Sequence, residues 1–468
     1  MGKHLLRYIS AFGIGLYLVA LITISLVFKS HALPTKWIIW GISEVLFFFV
    51  LTSVFYPRLK SDDSVLFWRK VFWVALAVRV AYVIFSYYYY CSHTGFPFEK
   101  PGDEVGYYYR SLYLSRYLRE GNLKFVRDFL NQYTMGFSDR GYLVWLTLIH
   151  TLFGPSLLLD RFLKALISAY LCIVVYKLSS RTFGERTGRL AAVMCVFMPI
   201  LIQLTGTHIK EMEMIFLSIL ALERMDYLIR SKKYTFWNVL FPILLTGLTF
   251  GFRTVVGMCL IFAFFVFIIL SPKDLVSRKG KIITLLTTGV ILLVFLFTAI
   301  GNEMKIYYML NFSGSDYLSK KYESKGMEYH ELAQSKYLYP GAFVLPLSPM
   351  VKEAPKHNKR WNGSMYVKNF LGFFAMLSIV VAFRQKKWRD FSLIGAYELA
   401  YLGIVMSSFT ANSERYHEPA IPLLLVMAAY AMTHLRRKDM IWFYAYCGVL
   451  LVALFAWNWL KLASRGLV

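Results

Sequence analysis

Pro101-Gly102-Asp103-Glu104-Val105-Gly106-Tyr107-Tyr108-Tyr109-Arg110 follows a long apolar segment and lies within the polar loop 92–140 of an otherwise hydrophobic chain. Two adjacent carboxylates just past a membrane-length run, followed by a Tyr- and Arg-rich stretch of helical character, point to chemistry at a bilayer surface. Asp is also a favoured helix N-cap, so a purely structural reading of Asp103 stands beside the chemical one.

Working outward, the chain has 468 residues, 17% of them charged, and a mean hydropathy of +0.50. Apolar runs fall near 8–28, 37–56, 71–91, 157–177, 190–207, 214–229, 234–251, 254–271, 282–300, 365–383, 391–409, 419–435 and 440–460. Runs of about eighteen or more residues are long enough to cross a hydrocarbon core. They are continuous rather than alternating, so helices are the expected spanning form. The expectation is an all-α, polytopic transmembrane bundle of about thirteen spans, forming one integral-membrane domain over 1–468. The first run follows Lys3 and Arg7, exceeds a signal-peptide core and lacks a small-residue cleavage site. It is therefore expected to be retained as a span.

The net charge of +25 does not imply nucleic acid, because most Lys and Arg sit in short loops between apolar runs. These include Arg58, Lys60, Arg69 and Lys70; Lys177, Arg181, Arg186 and Arg189; Arg230, Lys232 and Lys233. Further on come Lys273, Arg278, Lys279 and Lys281; Arg384, Lys386, Lys387 and Arg389; Arg436, Arg437 and Lys438. Placing all of them in the cytoplasm gives a consistent alternation of spans. The run 142–153 then has to be re-entrant or interfacial, because counting it as a span inverts every later loop. Cys91, Cys172, Cys195, Cys259 and Cys447 show neither zinc nor redox spacing.

This topology gathers the unusual residues on the external face. They are the loops 92–140 and 301–364, His208-Ile209-Lys210-Glu211, Gly251-Phe252-Arg253 and Asn412-Ser413-Glu414-Arg415-Tyr416-His417-Glu418. The two long loops are themselves basic, which suits either simple solvation or a phosphate-bearing partner. Tyr107 and its neighbours are amphipathic rings suited to the headgroup zone, on a juxtamembrane helix. Arg79 lies inside the third run, where a cation costs about 2.5–3.5 kcal/mol. It needs a function or an ion-pair partner, with Glu44 and Glu398 as the candidates. His208 and His417 have the chemistry of metal ligands, but a lone His at a span end is more often an interfacial hydrogen-bonder, so no metal is expected. No phosphate-cradling glycine loop, zincin motif or nucleophile elbow occurs, so neither nucleotide nor cofactor is expected.

An Asp-Glu pair on the first large external loop, with Tyr107 three residues after the Glu, resembles the GT-C membrane glycosyltransferases. That family includes protein O-mannosyltransferases and the lipid A aminoarabinose transferase. Leu152-Phe153-Gly154 with Arg161, Phe183-Gly184 with a span ending near Pro199, and Arg415-Tyr416 before Pro419 and Pro422 extend the resemblance. The chain departs from the pattern in carrying two apparent spans before the one that leads into the Asp-Glu loop. The resemblance implies a GT-C-like fold in the bacterial inner (plasma) membrane, with Asp103 as catalytic base and Glu104 as its supporting neighbour. It also implies basic residues for the donor phosphate, with Lys210, Arg253 and Arg415 as candidates. Arg79, Glu211 and Tyr416 join Tyr107 as substrate-binding candidates at this face.

The residue types fit that chemistry independently. Moving a sugar from a polyprenyl phosphate to a hydroxyl of a lipid, glycan or protein needs a base for the acceptor. The departing phosphate is already a stable anion and needs cations. No second, nucleophilic carboxylate stands out, so inversion at the anomeric carbon is expected. Two other classes fit the composition. A surface-polysaccharide polymerase or ligase should centre on Arg and His, and a lipid or solute transporter should carry inverted repeats; no repeat is visible.

Overall fold

A computed structural model describes residues 3–59, 63–99, 102–133, 138–272, 275–282, 285–286, 341–352, 362–407, 414–463 and 466–467. The run 282–300 and the loop 301–364 lie mostly outside the described residues. Among the described residues the protein is all-α, with no β-strand.

The first three helices are α1 (Lys3–Val27), α2 (Thr35–Arg58) and α3 (Ser64–Thr94). Three shorter ones follow, α4 (Asp103–Arg119), α5 (Leu123–Tyr133) and α6 (Arg140–Phe153). The middle of the chain forms α7 (Leu157–Phe183), α8 (Glu185–Phe197), α9 (Pro199–Gln203), α10 (Glu211–Ser231), α11 (Phe236–Phe252) and α12 (Thr254–Leu270). After the second long loop come α13 (Asn362–Arg384), α14 (Trp388–Ser407), a 3-10 turn (Glu414–Ala420), α15 (Ile421–Thr433) and α16 (Asp439–Ala463).

Five of these helices are long and apolar enough to cross a membrane by length and composition, or six if one bent pair counts as a span. The number is lower than thirteen partly because several expected spans carry ionisable side chains. α7 buries Asp160, Arg161 and Lys164, and α10 buries Glu223 and Asp226. α13 is central, with 78% of its apolar window buried, against 28% for the peripheral α3 and α16. A helix apolar on all sides belongs in such a position.

The run 190–207 is not the single straight span expected from the sequence. Met198 turns the chain, Pro199 starts α9, and the axis bends by 53°. Pro199 has no N–H to donate to the carbonyl of Cys195. Arg79 takes over that task. Its guanidinium donates to the carbonyls of Cys195 (3.1 Å), Val196 (3.2 Å) and Ala75 (3.3 Å), and to Ser168 Oγ (2.6 Å). Neither Glu44 nor Glu398 is its partner. Glu44 instead ties α2 to α9 and α13, accepting from Trp40 Nε1 (2.9 Å), the Ser364 N–H (2.8 Å) and Gln203. Arg79 is thus a clamp on a broken helix rather than a member of the external cluster.

Ion pairs tie several of the cation-rich stretches to neighbouring helix ends. Arg181 pairs with Asp226 (2.8 Å) and Glu223 (2.5 Å), and Arg230 with Asp226 (2.6 Å) and Asp390 (2.8 Å). Arg384 reaches Asp439 at 3.1 Å. α4 and α6 pack together, and α6 also packs on α11. With 14 residues α6 is about 21 Å long, short of a hydrocarbon core. It presents Leu148, Leu152 and Phe153 outward.

Candidate active site

Gly102 sets the start of α4, with φ 134, a backbone conformation that side-chain-bearing residues rarely adopt. Asp103 is therefore the first helical residue and not the N-cap. Its carboxylate leaves the backbone and meets Arg415 on the 3-10 turn, Oδ2 to Nη1 at 2.6 Å. The same guanidinium binds Glu211, the first residue of α10, through Nε. One arginine thus bridges carboxylates from two distant segments. The Asp103 side chain is 61% exposed, Arg415 33% and Glu211 0%, so the bridge runs from an open mouth into the protein.

Lys210, next to Glu211, donates to the Phe252 carbonyl at 2.8 Å and forms an ion pair with Asp139. Burial, with Arg253 adding to it, pulls the Lys210 ammonium down to about 7. Arg253, between α11 and α12, holds its guanidinium 4.7 Å from the centre of the Tyr416 ring. Burial opposes its charge, but Tyr401, Glu211 and Tyr416 outweigh that and raise its pKa. Tyr401 on α14 donates to the Tyr416 carbonyl at 2.9 Å and fixes the turn. Tyr107, one helical turn after Asp103, packs edge-on against Tyr142 at 5.0 Å. Its phenol is raised by burial and by Glu211, with Arg415 opposing.

Asp103, Tyr107, Lys210, Glu211, Arg253, Arg415 and Tyr416 therefore converge from four separate stretches of chain. Glu104 does not share Asp103's surroundings. Successive helical residues point about 100° apart, and Glu104 turns inward. It accepts from the His208 N–H at 2.8 Å and lies 3.9 Å from Arg161 on α7. Arg161 also donates to the Pro97 carbonyl at 2.5 Å. Lys164, one turn further along α7, donates to the Thr207 carbonyl at 3.0 Å and to that of Ile209. Together these groups fix the 207–210 segment, and with it Lys210 and Glu211. His208 is buried within this anchor; burial, Lys164 and Arg161 push its pKa well below the usual histidine value.

Below α4, His150 on α6 joins Asp160 Oδ2 (2.9 Å) to Ser111 Oγ (3.0 Å). The order resembles a hydrolase triad. Ser111 is fully buried and donates to the Tyr108 carbonyl at 2.7 Å, so the arrangement binds α4, α6 and α7 together. Asp139, Arg161 and Lys164 were not singled out from the sequence as site or anchor residues. The available signal was an acidic residue at a helix start for Asp139, and two cations three residues apart inside an apolar run for Arg161 and Lys164.

An exposed carboxylate held by a guanidinium, beside a lysine and a second arginine, can take a proton from a hydroxyl and hold a phosphate. Residues 142–300 match the family model described as dolichyl-phosphate-mannose-protein mannosyltransferase. The resemblance is to the GT-C membrane glycosyltransferases. The matched segment carries Lys210, Glu211 and Arg253, while Asp103 and Arg415 lie outside it. No curated protein matches the chain.

Two solved structures from Archaeoglobus fulgidus are similar to this chain. The oligosaccharyltransferase AglB, in complex with an inhibitory peptide and a dolichol-phosphate, is 14% identical with a TM-score of 0.47. The match covers 87% of this chain and 56% of that one. An oligosaccharyltransferase complex with Zn and sulfate is 11% identical with a TM-score of 0.45, covering 85% of this chain and 52% of the other. The chain thus spans little more than half the length of these structures.

Proposed function

We propose that the protein transfers a sugar from a polyprenyl-phosphate-linked donor to a hydroxyl acceptor (lipid, glycan or protein) on the external face of a plasma membrane. The observation that carries this reading is the Asp103–Arg415–Glu211 bridge beside Lys210 and Arg253. Asp103 accepts the proton of the acceptor hydroxyl. The acceptor oxygen bonds to the anomeric carbon as the bond from that carbon to the phosphate oxygen breaks. The electron pair of the broken bond stays on the phosphate, where Arg253, Arg415 and Lys210 offset the developing charge. One attack from the face opposite the phosphate gives inversion. The matched family model names a lipid-phosphate sugar donor, which supports this donor class.

The test is transfer by the purified, membrane-reconstituted protein from polyprenyl-phosphate sugars, with mass analysis of membrane lipids and glycans from cells with and without it. No transfer from any such donor sinks the reading. Within that assay Arg253 has a defined part. Its Nη1 is buried and has no hydrogen-bond partner among the described residues. Arg253→Ala is expected to raise the donor KM about 10- to 100-fold, the scale of a charged hydrogen bond. Arg253→Lys is expected to recover only part of that, because lysine lacks the planar fork. Unchanged donor use in Arg253→Ala would reduce the residue to a turn between two helices.

The external placement of the site rests on the positive-inside bias. Tags in 57–70, 273–281 and 384–390 are expected to report the cytoplasm, and tags in 310–350 the outside. Opposite sides for 57–70 and 384–390 would show that α6 crosses the membrane.

A further inference from the structure

Glu418 closes the 3-10 turn that carries Arg415 and Tyr416. It is fully buried, and neither of its carboxylate oxygens has a hydrogen-bond partner among the described residues. A buried ionised carboxylate without a partner is costly enough that the group neutralises instead. The charged and titratable groups around it come from several elements. They are Glu211 from α10, Arg253 between α11 and α12, Tyr401 from α14, Glu99 before α4, and Arg415 on its own turn. Burial, and next to it the charge of Glu211, raise Glu418 well above the usual carboxylate range, although Arg415 and Arg253 pull the other way. Burial therefore favours its protonated form.

Arg253 Nη1 is also buried without a partner among the described residues. The same region thus holds an unused carboxyl group and an unused guanidinium N–H, behind the exposed Asp103–Arg415 pair. Both are buried polar groups without a partner among the described residues and within electrostatic range of each other, and such groups call for a ligand to satisfy them. A carboxylic acid kept neutral can donate a hydrogen bond where an ionised one would repel an anion.

We propose that Glu418 is a phosphate-contacting residue of this site, presenting a neutral carboxyl O–H, beside the Arg253 Nη1–H, to a phosphate oxygen of the lipid-linked donor. This deepens the transferase reading and rests on it for the identity of the donor. During transfer the phosphate goes from a singly charged diester to a monoester that carries a second negative charge. Glu418 O–H is a donor to that growing charge and the acceptor's proton still goes to Asp103. An ionised Glu418 would add a negative charge to Asp103, Glu211 and Asp139 and oppose phosphate binding.

The experiment measures binding of a polyprenyl phosphate, and separately of inorganic phosphate, by the full chain in detergent between about pH 6 and pH 9. The proteins compared are wild type, Glu418→Gln and Glu418→Ala, each with its thermal unfolding recorded. Wild-type affinity for the polyprenyl phosphate is expected to weaken with rising pH more than that of Glu418→Gln, because only a protonated Glu418 can donate. Glu418→Ala is expected to bind about tenfold more weakly at neutral pH, the order of one lost hydrogen bond. Glu418→Gln keeps an N–H donor that cannot ionise, so it is expected to recover most of that loss and to flatten the alkaline decline. Lys210 titrates in the same range and is present in every protein, so the comparison rests on the difference between the two profiles.

Equal losses in Glu418→Gln and Glu418→Ala, with both folded, would mean that Glu418 works ionised and would overturn the proposal. Unchanged binding in Glu418→Ala overturns it as well. Inorganic phosphate responding like the polyprenyl phosphate supports a seat for the phosphate itself, whereas a response to the lipid alone with an identical pH profile in all three proteins counts against it. If the variants behave as expected but the wild type transfers no sugar, the transferase reading fails and the phosphate contact stands.

Discussion

Asp103→Asn is expected to abolish sugar transfer, by about 100- to 10,000-fold, the span of a lost general base, while the protein stays folded and inserted. The geometry separates this from a capping defect. Gly102 holds the N-cap position, and among the described residues the Asp103 carboxylate makes no hydrogen bond to its own helix and goes to Arg415 instead. Asparagine keeps the size, and the ion pair it removes is 61% exposed on the Asp103 side. Exposed pairs of this kind contribute about 1 kcal/mol or less. The Arg415–Glu211 contact remains in the variant. Unfolding temperature and elution from a sizing column should therefore match wild type, and single-turnover transfer should not. Glu104→Gln gives the opposite pattern. It weakens the anchor to the His208 N–H and leaves Arg161 without its neighbouring carboxylate, so thermal stability falls more than chemistry does. Near-wild-type transfer by Asp103→Asn would falsify the assignment of the base.

The sequence carried the site further than the interior. Asp103, Lys210, Glu211, Arg253 and Arg415 stand out because charge is expensive beside apolar runs, Tyr416 is the neighbour of one of them, and the charge bias of the short loops is the ground for expecting them all on one face. What no spacing discloses is which side chains meet. Asp103 and Glu104 are neighbours in sequence, yet one faces the open mouth and the other is buried, because a helix separates adjacent residues by about 100°. Arg79 has the composition of a buried ion-pair member, and its real partners are carbonyls released at Pro199. Backbone acceptors leave no trace in a residue pattern, so a clamp on a broken helix reads like a functional cation. Hydropathy runs straight through the break for a related reason, since 190–207 is apolar on both sides of Pro199 and hydropathy does not record direction; only the resemblance ended a span near Pro199. Asp139 escaped notice and Glu418 entered only as the end of the 412–418 stretch, because a single carboxylate in a loop is ordinary; only the Lys210 contact and the burial of Glu418 distinguish them.

Arg415→Met tests the bridge itself and should affect stability as well as chemistry. Glu211 is fully buried, and losing its guanidinium leaves a carboxylate in an environment that disfavours charge. Breaking a buried pair by removing one partner typically costs about 3–5 kcal/mol. Lys210 and Arg253 remain electrostatic neighbours of Glu211 and keep the loss toward the lower end of that range. The second substitution, Glu211→Gln on the Arg415→Met background, removes the stranded charge. It is expected to return most of the thermal stability, because a neutral amide beside an apolar side chain no longer demands a counter-ion. Transfer should stay lost in the double variant, since Asp103 then has no cation to orient it and the donor phosphate lacks one of its ligands. Arg415→Lys sits between these cases. A point charge can satisfy either Glu211 or Asp103 but cannot reproduce the fork that reaches both, so folding is expected to survive better than turnover. The decisive comparison is between the two readouts in the double variant. Recovery of activity together with stability would mean that Arg415 serves the fold alone, and the phosphate site would then have to be rebuilt around Arg253 and Lys210.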